Sequence, residues 1–66
     1  MSIKSAILDA LEKKYEADMA EAEATLKIYL EQPVGIGEHP QHVTEVDKLC
    51  QKVVDANEKL KYIRTI

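Results

Sequence analysis

Glu38, His39 and His42 are the residues of this chain that most resemble metal ligands, because two histidines three positions apart can share a face at the start of a helix. A structural zinc site wants four ligands at recognisable spacing, and Cys50 lies two turns further on, too far to complete the set locally. The expectation is that His39 caps a helix, that His42 lies at its surface, and that no metal is held. Cys50 is the only cysteine. Nothing near it in sequence supplies a base, and its spacing predicts a buried, inert side chain in place of a nucleophile. Asp18 and Glu21, with Glu16 and Glu23, form an acidic strip that reads as a solvated helix face. Paired carboxylates for acid and base work would need a cleft, which two helices do not make. Gly35 and Gly37 are too few for a phosphate loop, with no lysine after them and no strand before. These residues point to no catalytic group and no cofactor, so the chain reads as something other than an enzyme.

The elements that carry these residues follow from the punctuation. Both prolines and both glycines fall in Pro33-Val34-Gly35-Ile36-Gly37-Glu38-His39-Pro40, and the flanks of 32 and 26 residues contain neither. Proline lacks a backbone donor and glycine is costly inside a helix, so this distribution predicts an all-α antiparallel helical hairpin. It is one domain over residues 1–66, with a helix over about 3–32, a loop over 33–39 and a helix over about 40–64. Ser2 or Ser5 caps the first helix, and Pro40 suits the first position of the second, where its missing donor costs nothing.

On the first arm Leu8, Leu11, Tyr15, Met19, Ala22, Leu26 and Leu30 form a stripe with an eleven-residue rhythm. On the second, Val43, Val46, Cys50, Val53, Asn57 and Leu60 keep heptad steps, widened on one side by Leu49, Ala56 and Ile63. Folding about Ile36 sets Leu30 near Val43, Leu26 near Val46, Ala22 near Cys50, Met19 near Val53, Tyr15 near Asn57 and Leu11 near Leu60. Asn57 then has two readings: a buried amide that fixes register opposite Tyr15, or a residue on the wet edge of the seam. The apolar Val34 and Ile36 of the glycine loop either close the end of the bundle or are offered to a partner. Ile3, Ile7 and Ile28 lie beside the first stripe, and the Leu49 side widens the second. One neighbour does not cover so much apolar surface, so the hairpin is expected to self-associate into a four-helix or larger bundle.

Composition narrows the partners. The chain has 66 residues and a net charge of −3, with the two signs interleaved, so a basic face for nucleic acid is missing. Without tryptophan or phenylalanine it also lacks the commonest stacking platforms for bases. The first arm is acidic and the second slightly basic, which favours their antiparallel pairing. No stretch reaches membrane-spanning length. The single cysteine, with no apolar signal segment behind Met1, predicts a reducing, cytoplasmic compartment.

The segment Pro33 to Pro40 resembles a loop shared by short uncharacterised helical proteins of large tailed bacteriophages, and the similarity continues through Val46-Asp47-Lys48 and Ala56-Asn57-Glu58-Lys59-Leu60. It covers about the second half of the chain. The group carries Asp after the second proline, where this chain has Gln41. The resemblance implies a viral origin, hence the host cytoplasm, and carries no activity with it. The functional expectation is a small non-enzymatic homo-oligomer that binds another protein. Two alternatives stand beside it: a virion-associated structural component, and an oligomer that sequesters a small ligand at its interfaces.

Overall fold

Alanine, leucine, glutamate and lysine, which lose little on entering a helix, make up most of the first flank, and lysine, leucine and glutamate recur along the second. In the computed structural model, which describes residues 2–31 and 42–66, they build two helices. These are α1 (Ile3–Glu31) and α2 (His42–Ile63). No strand occurs among the described residues. The loop residues Val34, Gly35, Ile36 and Gly37, the cap expected at His39 and the helix start expected at Pro40 lie outside them.

Ser2 proves to be the cap of α1. Its hydroxyl oxygen accepts from the Ser5 backbone N–H at 3.0 Å, and its carbonyl accepts from the Ala6 N–H at 3.0 Å. The hydroxyl thereby satisfies one orphan donor of the first turn, and the carbonyl takes the first regular bond of the helix. At the far end α2 closes in tight turns, with the Thr65 N–H donating to the Tyr62 carbonyl and the Ile66 N–H to that of Ile63. The Thr65 hydroxyl also donates to the Tyr62 carbonyl, at 2.7 Å.

The helices pack antiparallel into a rod of 51 × 15 × 13 Å. Two helices share only one seam, so the dry interior is small: among the described residues Ala22, Ala56 and Leu60 are the buried apolar ones. Most of the remaining apolar surface stays at the edges or outside, as expected of a chain this short.

Candidate functional site

The inward stripe of α1 differs from the one its hydrophobic residues suggest. The buried and half-buried line runs Leu8, Leu11, Tyr15, Asp18, Ala22, Thr25 and Tyr29, with Glu12, Met19 and Leu26 along one side. Its steps of three and four make a heptad, so the expected eleven-residue rhythm is corrected. Asp18 and Thr25 are what conceal it. Thr25 can sit there because its hydroxyl donates to the Glu21 carbonyl at 3.0 Å, and Asp18 because its carboxylate accepts from the Lys14 ammonium at 3.5 Å. Leu30, expected in the seam, is 65% exposed, and Tyr29 takes the inward place.

On α2 the seam is His42, Val46, Leu49, Val53, Ala56, Leu60 and Ile63, again a heptad. The expected line through Val43, Cys50 and Asn57 is displaced by one residue. Val43 is 80% exposed and the Cys50 thiol lies at the surface, which corrects its expected burial. Asn57 is half-buried. Among the described residues no buried polar side-chain atom lacks a partner, so its amide faces the wet edge instead of needing Tyr15. The Lys59 ammonium lies 5.8 Å from the Tyr15 ring centroid instead.

Contacts across the seam fix the register. The Tyr29 and His42 rings sit 5.4 Å apart and tilted, so His42 packs against α1 where a surface position was expected. Glu21 pairs with Lys52 at 3.4 Å and Glu12 with Arg64 at 3.4 Å. At about 100° per residue these two glutamates project from opposite sides of α1, and the pairs clasp both edges of the hairpin. Arg64 reaches back along its helix to meet Glu12, as helical side chains lean toward the N-terminus. All four side chains keep much of their contact with water, so each pair contributes about 1 kcal/mol or less.

Local ion pairs decorate the outside: Asp9 with Lys13, Asp18 with Lys14 and Glu45 with Lys48. The Asp9 carboxylate accepts from the Lys13 ammonium and, with its charge, raises the pKa of that lysine above the ordinary value. Among the described residues no three His, Cys, Asp or Glu side chains gather into a metal-ligand set. Among the described residues no helix is long and apolar enough to cross a membrane.

What the molecule does present is uncovered apolar surface. Ile3, Ile7, Ile28, Leu30, Val43, Val54, Tyr62 and Ile66 are all more than half exposed. Two open depressions mark this surface. One, of about 260 Å³, is lined by Ala24, Lys27, Ile28 and Glu31. The other, of about 290 Å³, lies at the open end between Ser5, Leu8, Asp9, Glu12, Ile63 and Arg64. Both are shallow features of a surface, and neither gathers groups for chemistry. Comparison with protein-family models, with curated proteins and with solved structures finds no match for this chain.

Proposed function

We propose that the chain is a small non-enzymatic helical hairpin that works as a protein-interaction module, completing its core first with copies of itself in a four-helix or larger bundle and then with another protein. The observation that carries this reading is that, among the described residues, eight large apolar side chains are left more than half exposed while three residues are buried. These side chains are already partly covered, so completing the cover of one contributes about 1–2 kcal/mol. Association costs about 4–15 kcal/mol in lost freedom, so covering three or four residues on each of two copies is enough to offset it. Exposure on this scale marks an interaction surface in a folded protein. The resemblance of Pro33 to Pro40 to the loop of short bacteriophage proteins supports a viral accessory role in the host cytoplasm.

The test is affinity capture from the native cell with the wild-type chain and with Val43→Lys plus Val54→Lys, which alters two of the exposed apolar residues of α2 without touching the seam. A protein retained by the wild type in fixed ratio and lost by the variant is the expected result. Identical capture by both, or none by either, contradicts the proposal.

A further inference from the structure

The back of α1, facing away from α2, carries a second seven-residue repeat that the hairpin does not use. Ile3, Ala10, Ala17 and Ala24 follow one another at seven-residue steps, with Ala6 and Ala20 between them, and all six are exposed. At about 100° per residue this line lies roughly 130° round from the seam. A row of alanines lets a second helix backbone approach closely, since interaxial distance is set by the side chains at the contact.

From the charge and shape of this face we infer that it is where a second copy of the chain docks, antiparallel, about a two-fold axis at Ala17. The inference rests on the self-association proposed above and assigns its surface. A two-fold axis makes the contact isologous, so each residue meets the one equally far on the other side of the axis. Lys13 lies four residues before Ala17 and Glu21 four residues after it, which sets Lys13 against Glu21 of the partner subunit, twice. Parallel docking would keep both copies of Lys13 at one level and both copies of Glu21 at another, so neither would meet its opposite charge. Lys13 already holds Asp9 and Glu21 already holds Lys52, so the new pairs extend existing networks along both flanks of the contact.

The shape agrees with the charge. Ala10 falls level with Ala24 of the partner subunit, small on small. Ile7 and Ile3 fall level with Lys27 and Glu31 of the partner subunit, and those two residues, with Ala24 and Ile28, line the depression of about 260 Å³. The isoleucines that protrude at one end of the stripe, 56% and 81% exposed, thus meet the hollow at its other end, and the axis repeats the fit. In the resulting dimer the two α1 helices form the centre and the two α2 helices flank them.

The experiment places cysteine on the axis, as Ala17→Cys in a Cys50→Ser background, with Val54→Cys in the same background as control. Same-residue disulfides form where Cα atoms approach within about 4.4–6.8 Å. Mild oxidation is expected to convert the Ala17→Cys chain to a covalent dimer and to leave the control largely monomeric. Sedimentation that shows a dimer in which Ala17→Cys does not cross-link overturns this surface and leaves self-association standing. A chain that stays monomeric at all concentrations overturns both. A second pair of variants guards against chance collision: Lys13→Glu is expected to raise the dimer dissociation constant by more than about tenfold, and adding Glu21→Lys together with Lys52→Glu, which keeps an ion pair across the seam, to restore it. Failure of the combined variant to recover affinity contradicts the proposed axis.

Discussion

Replacing Leu60 by alanine tests whether the seam is the one described. Leu60 is 5% exposed on α2, whereas Cys50, ten residues earlier, lies at the surface. Removing a buried leucine side chain costs about 2–5 kcal/mol, and the lower half of that range applies to a seam with wet edges on both sides, where neighbours can close over the gap. A 66-residue chain at about 0.05–0.15 kcal/mol per residue has about 3–10 kcal/mol in all, so Leu60→Ala removes a large share. At about 4–8 °C per kcal/mol for a domain of this size, the melting temperature falls by roughly 10–20 °C. Cys50→Ala changes an exposed side chain and shifts stability by about 0.5 kcal/mol or less. The assay is thermal unfolding followed by circular dichroism, with all variants at one chain concentration because association adds to apparent stability. Equal losses from Leu60→Ala and Cys50→Ala would restore the displaced seam and refute the packing described here.

Three further outcomes follow from particular contacts. Ser2→Ala removes the cap of α1 and is expected to cost about 1 kcal/mol, with Ser2→Gly much milder; identical melts for wild type and Ser2→Ala would show that the first turn frays regardless. Asn57→Leu adds apolar area at a half-buried edge position without stranding a partner, so stability is expected to be unchanged or higher with subunit number retained; a clear loss of stability would place a needed hydrogen bond at Asn57. Asp9→Asn is expected to lower the Lys13 pKa toward its ordinary value in an NMR titration. Because the folded-state pKa is raised, whatever stability the pair contributes is present below the unfolded value of 10.5 and is lost as pH rises through the higher folded one, so melts near neutral pH should show no inflection from it. An Asp9→Asn chain in which Lys13 titrates unchanged contradicts the pairing.

The fold was legible because proline and glycine leave so few choices: two flanks free of both, joined by a stretch containing all four, can only be two helices and a connection. The helix cap was legible to within two candidates, and the hydrogen bonds selected Ser2. The seam was harder to read for a physical reason. Apolarity alone ranks Leu30 above Tyr29 and Leu26 above Thr25, yet Tyr29 packs its ring against that of His42 and Thr25 satisfies its own hydroxyl on the preceding turn. On α2 two parallel lines compete, Leu49-Ala56-Ile63 and Val43-Cys50-Asn57, and both are apolar enough to be buried. Only the partner helix decides between them. Edge contacts such as Lys59 over Tyr15 depend on side-chain reach across the seam, which no single-helix pattern contains. The surplus isoleucines beside the first stripe were visible from the outset, and Ile3, Ile7 and Ile28 remain exposed in the hairpin.

That exposure is the centre of the account, and sedimentation equilibrium of the wild-type chain over micromolar to millimolar concentration tests it most directly. The account predicts a dimer or larger assembly whose population grows with concentration, because the hairpin alone leaves Ile3, Ile7 and Ile28 in water. A single species at the mass of one 7.5 kDa chain across the whole range would contradict it.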